Sequence, residues 1–380
     1  MEFNFLEPVD DEILKFVSNL SSQQLGSKVV FHSLEDSPDL SKVQITLVGV
    51  LEERKDETLT ALKFFRKEFY SLFPGNWEAS IADLGNILPG NTSKDTYFAL
   101  QELVSELLKK NVIPIVIGGS QDLTYALYRA YDRLEQMVNL VSIDSKFDLG
   151  QESDKTTPAS YLTKIVLDEP CNLFNFCNIG YQTYFNSQEE IDLVEKLFFD
   201  AYRLGDISSN IALAEPVLRD ADIVSLDLTS IQSSDSGNFH CFNPNGFSGR
   251  EICTLARYAG LSDKVSVFGV FNHNDNEQES KLIAQIVWYF VEGFHYRSNE
   301  YPFGSKDNYL RYTIPLDNEE LIFFKSHKSG RWWIEIPFLA KSNTKLKKSA
   351  LLPCSYEEYL AACNQEIPDR WWKAQRRNIV

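Results

Sequence analysis

Three short stretches carry residue types whose spacing could do chemistry. They are Val116-Ile117-Gly118-Gly119-Ser120-Gln121-Asp122, Val141-Ser142-Ile143-Asp144-Ser145-Lys146-Phe147-Asp148, and Val224-Ser225-Leu226-Asp227-Leu228-Thr229-Ser230-Ile231-Gln232. Each begins as an apolar run and ends in polar groups, as a buried strand does when its last residues reach a site. Asp144, Asp148 and Asp227 offer hard oxygens of the kind that hold a divalent cation such as Mg²⁺ or Ca²⁺ with water completing the shell. Without a cation, three close carboxylates raise one another's pKa, so a compensating charge is expected. Lys146 lies between two of them in sequence, and an internal salt bridge from Lys146 is the expected compensation. Gly118-Gly119 implies a tight bend or a close approach. Neither G-x-G-x-x-G nor G-x-x-x-x-G-K-[ST] is present, so this is not a phosphate loop.

The elements that must position these residues alternate. Strand runs are expected at Val43–Val50, Val112–Ile117, Leu140–Ile143, Cys177–Ile179, Ile223–Leu226 and Val265–Phe271. Helical periodicity lies between them, at Thr60–Leu72, Thr96–Lys109, Leu123–Tyr131, Gln188–Ala201 and Arg250–Ala259, and again at Ser280–Phe294. Nearly continuous apolar strands separated by helices predict a mainly parallel sheet covered on both faces, with ligand sites beyond the strands' carboxyl ends. Residues 1–42 read as a leader with a helical pattern from Ile13 to Leu20 and a short strand at Val29-Val30-Phe31. Residues 43–294 form the α/β domain. Residues 295–380 form an aromatic-rich extension packed on it, with a β-hairpin at Leu321–Lys325 and Arg331–Ile336 turning at Lys328-Ser329-Gly330. A capping box, Ser355 with Glu358, opens a helix that runs through Cys363.

Taken in order, the three stretches resemble the ureohydrolase family of arginases, agmatinases and formimidoylglutamases. That family carries G-G-D-H-S, D-A-H-x-D and S-x-D-x-D-x-x-D-P at its sheet ends. Further matches support the likeness. Ile45–Gly49 looks like the first strand, Arg66 stands at the A-I-R turn, and Asp83-Leu84-Gly85 looks like D-x-G-D. Ile179-Gly180-Tyr181 looks like I-G-I-R, and Pro244–Glu251 looks like the G-G-[LF]-[ST]-x-R-E helix start. The resemblance spans roughly residues 43–294 and implies a three-layer α/β/α fold. It also implies a pair of manganese ions, held by two histidines and four aspartates, whose bridging hydroxide attacks a guanidinium-type carbon.

Residue by residue, the likeness departs at the metal. The G-G-D-H histidine falls on Gln121 and the preceding aspartate on Ser120. The D-A-H-x-D histidine falls on Lys146, with both aspartates kept as Asp144 and Asp148. Asp227 is kept, the next aspartate falls on Thr229, and the D-P pair falls on Gln232-Ser233. The glutamate that faces the guanidinium in the family falls near Val270. An ammonium cannot ligate a metal while protonated. The expectation is therefore no manganese pair and no catalytic residues, with Asp144, Asp148 and Asp227 as the remnant and the only candidate ligands of any ion. Gly118, Gly119, Ser120, Gln232, His240 and His273 are the remaining candidates to line the old pocket.

Composition narrows the rest. The chain has 380 residues, 43% of them hydrophobic, and a formal charge of −17, which opposes a phosphate-backbone partner and so excludes nucleic acid. The basic stretch Lys341, Lys345, Lys347, Lys348 is read as a solvated loop. The six cysteines form no C-x-x-C and sit at no zinc spacing, and the five histidines include no H-x-x-x-H pair. Ser120 lacks G-x-S-x-G, and Cys241 and Cys253 lack a histidine–aspartate pattern beyond the adjacent His240, which leaves serine or cysteine hydrolysis a minor alternative. No apolar run reaches membrane-spanning length and the N-terminus lacks a signal-peptide core, so no membrane insertion and a cytoplasmic location are expected. The expected function is that of a catalytically inactive family member acting as a scaffold through a protein partner or self-association. The alternatives are a divergent hydrolase of linear amidines and a non-catalytic small-molecule sensor.

Overall fold

The computed structural model describes residues 5–51, 62–134, 136–151, 156–274, 276–302, 306–316, 320–336 and 351–377. Ten strands form the main sheet: β1 (Leu6–Glu7), β2 (Val30–Phe31), β3 (Ile45–Val50), β4 (Ile81–Ile87), β5 (Ile113–Ile117), β6 (Val138–Ile143), β7 (Leu173–Tyr181), β8 (Asp200–Arg203), β9 (Ile223–Asp227) and β10 (Val267–Phe271). Their order is β1-β4-β3-β5-β10-β9-β6-β7-β8, with β2 also pairing β4. Every pairing is parallel except β1 on β4. The mainly parallel sheet with helices on both faces is thus the architecture the alternating pattern predicts.

The central strands β3, β5 and β10 are mainly apolar because both their faces are buried. In β5, Ile113, Ile115 and Ile117 enter one core while Val116 enters the other. In β10, Phe268 and Val270 face the first and Val267 and Phe271 the second. The helices Lys63–Ser71, Gly249–Leu261 and Glu277–His295 cover the first face; Ser93–Lys109, Leu123–Arg129 and Tyr161–Leu167 cover the second. Two of them cross on glycines: a Cβ at Gly260 would stand 2.1 Å from the Phe290 carbonyl oxygen, and one at Gly293 would stand 2.4 Å from that of Arg257. Gly260→Ala must spread this crossing, and urea unfolding is expected to show a loss of about 1–3 kcal/mol, the usual cost of overpacking.

Several boundaries differ from expectation. The helix expected over Gln188–Ala201 stops at Lys196, the chain turns through Phe198 at φ +55°, and Asp200–Arg203 becomes the edge strand β8. The capping box Ser187–Glu190 starts that helix as the sequence suggests, but a four-residue edge strand has too few residues to show alternation. β4 was not expected as a strand because its Asp83, Gly85 and Asn86 look like turn residues. Thr60 and Ala61, part of the helix expected over Thr60–Leu72, lie outside the described residues, and so do Lys341, Lys345, Lys347 and Lys348.

Beyond the main sheet, β11 (Tyr309–Pro315), β12 (Glu320–Ser326), β13 (Trp332–Glu335) and β14 (Leu351–Cys354) make a second, antiparallel sheet in that order. The expected hairpin is its centre, β12–β13, with Gly330 at φ +74° in the turn. The Ser355–Glu358 box caps the helix Tyr356–Cys363. A last helix, Asp369–Arg377, closes over β8: Arg377 donates to the Phe198 carbonyl, Lys373 stands 3.9 Å from Asp200, and Trp372 meets Phe198 edge-on. Arg219 joins the two sheets, donating to the Cys354 carbonyl at 2.9 Å while its guanidinium covers the Trp333 ring. No described helix is long and apolar enough to cross a membrane.

Candidate functional site at the carboxyl ends of the strands

The three sequence stretches do converge at neighbouring strand ends, because β5, β10, β9 and β6 lie side by side. The glycines make the bend there. Gly118 and Gly119 take φ +98° and +71°, and a Cβ on Gly118 would sit 2.8 Å from the Val50 carbonyl oxygen. Gly118 N donates to the Val270 carbonyl and Asn272 N to that of Gly119, which ties the end of β5 to the end of β10. Gln121 is thereby held inside, where its Nε2 donates to Ser142 Oγ at 3.1 Å and reaches Tyr161 Oη at 3.4 Å. Its Oε1 is buried without a hydrogen-bond partner.

Asp144, Asp148 and Asp227 are all buried, at 1%, 8% and 5% exposure. Asp144 Oδ1 accepts from Lys146 N at 3.0 Å, and Asp227 Oδ1 from Thr229 N at 2.7 Å. Asp148 takes φ +56°, which turns its side chain back beside Asp144. Burial, with Asp227 next to it, pushes the Asp144 carboxyl up to about 7. Burial and then the neighbouring Asp144 and Asp227 push Asp148 well above the carboxylate range, and burial also raises Asp227. The hydrogen bond between Asp148 and Asp144 raises the first carboxyl and lowers the second. Asn272 and Thr229 donate to Asp227 and hold its carboxyl lower than burial alone would.

The expected salt bridge from Lys146 is not formed. Lys146 is exposed, lies within 4.0 Å of no carboxylate among the described residues, and places its ammonium over the Phe185 ring, 5.9 Å from the centroid. Its backbone explains this. Asn178 Nδ2 donates to the Lys146 carbonyl, Phe147 N to Asn186, and Lys146 N to Asp144, leaving outward as the side chain's course. Hydrogen-bond donors, with a more distant contribution from the Lys146 charge, lower the carboxyls that burial raises.

The other candidates stand apart from it. Ser120 Oγ donates to Asp122, and Gln232 Nε2 to Asp235, which itself accepts from Gly249 N. His240 is exposed. His273 has its side chain buried beside Ser280 and Glu279, and burial lowers its pKa to about 4, so it is a neutral imidazole near pH 7. Tyr161 and Asn272 are members of the cluster that sequence reasoning did not select. Tyr161 comes from a helix with no motif, whereas Asn272, directly after β10, was within reach of a closer reading.

Comparison with known proteins places this arrangement. The arginase family model matches residues 59–291, more than half of the chain. The chain belongs to the arginase family. A formimidoylglutamase of Lysinibacillus sphaericus is 20% identical over 227 residues, 56% of this chain and 70% of that protein. Formiminoglutamase of Trypanosoma cruzi, in a crystal structure with Mn²⁺, superposes with a TM-score of 0.60 at 18% identity, covering 70% of this chain and 98% of that one. Formimidoylglutamase of Bacillus subtilis gives 0.62 at 14% identity, over 74% and 93%. Agmatine ureohydrolase of Thermoplasma volcanium gives 0.56 at 17%, over 74% and 97%.

A manganese pair, as in the trypanosomal arginase-family structure, can be tested against the residues present. Gln121 uses its amide nitrogen on Ser142 and Tyr161, Thr229 uses its hydroxyl and its N–H on Asp227, and Lys146 points outward. Two ions need bridging carboxylates that are ionised, and burial without a cation raises the Asp144, Asp148 and Asp227 carboxyls. Among the described residues, no group of three or more His, Cys, Asp and Glu side chains is arranged to hold an ion. This donor set does not fit a binuclear centre.

Proposed function

We propose that this chain is a non-catalytic member of the arginase family that acts through its surface, as a scaffold for a protein partner or for its own copies. The observation that carries the reading is the pair Gln121 and Lys146. They stand where the resemblance places the two histidine ligands, one tied into a hydrogen-bond network and the other turned out onto Phe185. Without those ligands no bridging hydroxide forms, and fold alone gives no activity. The surface supports the second half of the reading. Tyr184, Phe185, Phe239 and Phe242 are exposed on loops that follow β7 and β9. Aromatic residues with a large exposed area and few rotatable bonds suit a protein contact. A cytoplasmic setting and the absence of a nucleic-acid partner belong to the same reading and rest on sequence alone.

The protein equilibrated with excess Mn²⁺ and then desalted is expected to retain less than one ion per chain. It is also expected to release neither urea, formamide nor ammonia from arginine, agmatine or formiminoglutamate. Two retained ions with product release would overturn the proposal. One retained ion would support a second reading, a hydrolase of linear amidines built on Asp144, Asp148 and Asp227. The buried Gln121 Oε1, which lacks a partner, is the observation that favours it.

A further inference from the structure

The second sheet runs β11-β12-β13-β14, and Arg219 holds β14 to the body of the chain through the Cys354 carbonyl, which leaves β11 (Tyr309–Pro315) as its free edge. Among the described residues β12 is the only strand that pairs with β11. His327 N donates to the Asn308 carbonyl at 3.1 Å, one step beyond the paired Tyr309 and Ser326. Bonded pairs alternate in an antiparallel ladder, so Asn308, Leu310, Tyr312 and Ile314 turn their backbone groups towards β12. Tyr309, Arg311, Thr313 and Pro315 turn theirs outward. The ends of this outer row are already engaged. Tyr309 N donates to the Lys306 carbonyl at 3.0 Å; Pro315 has no N–H, and its carbonyl accepts from Gln365 Nε2 at 3.2 Å. At its centre, the backbone N–H and carbonyl groups of Arg311 and Thr313 have no partner among the described residues.

We propose that β11 pairs with β11 of a second copy of this chain, antiparallel about a two-fold axis at Tyr312. That register sets Arg311 opposite Thr313 of the second copy, and each such pair closes two backbone hydrogen bonds with the free groups. It also sets Pro315 opposite Tyr309, where neither has an N–H to offer. Moving the axis to Arg311 would oppose two arginines, and moving it to Thr313 would face the Arg311 carbonyl with a proline. On the other face of the strand, Leu310, 42% exposed, meets Ile314 of the second copy. Tyr312, whose ring centroid lies 5.2 Å from that of Trp332 and 5.4 Å from that of Tyr359, meets its own counterpart. Such a contact is isologous, the commonest way for identical chains to pair. One edge strand of 7 residues covers less than the ~800 Å² per partner of a standard interface, so the dimer is weak, with a Kd on the order of 10–100 µM. The pairing uses none of the residues of the carboxylate site and does not depend on whether the chain turns over a substrate.

Sedimentation velocity of the full chain over about 1–300 µM is expected to show monomer giving way to dimer. Arg311 and Thr313 are exposed, so substitutions at 313 read the pairing without disturbing a core. Thr313→Glu sets a carboxylate opposite Arg311 in both pairs and should tighten the dimer. Thr313→Arg opposes two arginines and should loosen it, each by roughly twofold to thirtyfold for two cross-strand pairs. A general charge effect would act the other way, because the chain already carries −17. Thr313→Pro removes an outward N–H and spares the ladder to β12, so it should leave only monomer with the melting temperature of the dilute chain unchanged. A chain that stays monomeric at the highest concentration would overturn the proposal and leave the non-catalytic reading untouched. A dimer that Thr313→Glu and Thr313→Arg shift in the same direction, or not at all, would overturn it too.

Discussion

Arg66→Met is expected to cost about 3–5 kcal/mol, roughly a fifth of the chain's stability or more, and on a marginal background to unfold it. Arg66 is 3% exposed and Asp83 is fully buried. The guanidinium grips Asp83 through two bonds, Nε at 2.7 Å and Nη2 at 3.0 Å, and also donates to Asn86 Oδ1 and the Gly85 carbonyl. Tyr70 donates its hydroxyl to the same carboxylate. The substitution leaves Asp83 charged, dry and without its cation, which costs about 3–5 kcal/mol. Domains of this kind hold only about 5–15 kcal/mol in total. The double variant Arg66→Met with Asp83→Asn should recover part of the loss, because the damage lies in the orphaned charge rather than in the missing pair. Urea unfolding reads both, and an unchanged midpoint for Arg66→Met would rule out this network as a clasp between β4 and the helix Lys63–Ser71.

Asp148→Asn is expected to do the opposite and stabilise the chain above neutral pH. The sign follows from the direction of the shifts. Burial pushes Asp144 up to about 7 in the folded chain against an ordinary value of 3.8, and Asp148 is raised as well. Below pH ~4 both states hold these protons and nothing is lost. As pH rises, the unfolded chain releases them first, so stability falls through the window from about 4 to 7. A shift of this size on one buried carboxyl corresponds to about 4 kcal/mol once the window has been crossed. The amide of Asp148→Asn cannot ionise, so its stability in chelator should decline less with pH and exceed wild type by about 2–4 kcal/mol at pH 8. Wild-type stability that stays level from pH 5 to 8 would count against the shared burial of these carboxylates. If added Mn²⁺ lifts wild type alone, the single-ion reading gains instead.

Both effects start from residues visible in the sequence. Arg66 and Asp83 each fall in a segment that carries the family resemblance. Pattern alone cannot say that they meet, because 16 residues of helix and loop lie between them. The site is similar. Asp144, Asp148 and Asp227 are legible as a cluster, since each follows an apolar run and parallel strands bring such ends together. Lys146 shows where that reasoning stops. Its place between two aspartates suggests a salt bridge, yet the backbone bonds of its loop send the side chain outward onto Phe185.

The sequence by itself determined the fold class and the positions of the central strands, because these depend on residue type and local period. Tertiary structure alone decided how the buried carboxylates are balanced, that residues 200–203 form the sheet edge, and that the hairpin of the extension is the middle of a four-stranded sheet. The physical reason is shared. Period and composition record which face of an element avoids water, but charge compensation, edge pairing and cavities depend on which distant groups arrive at the same place.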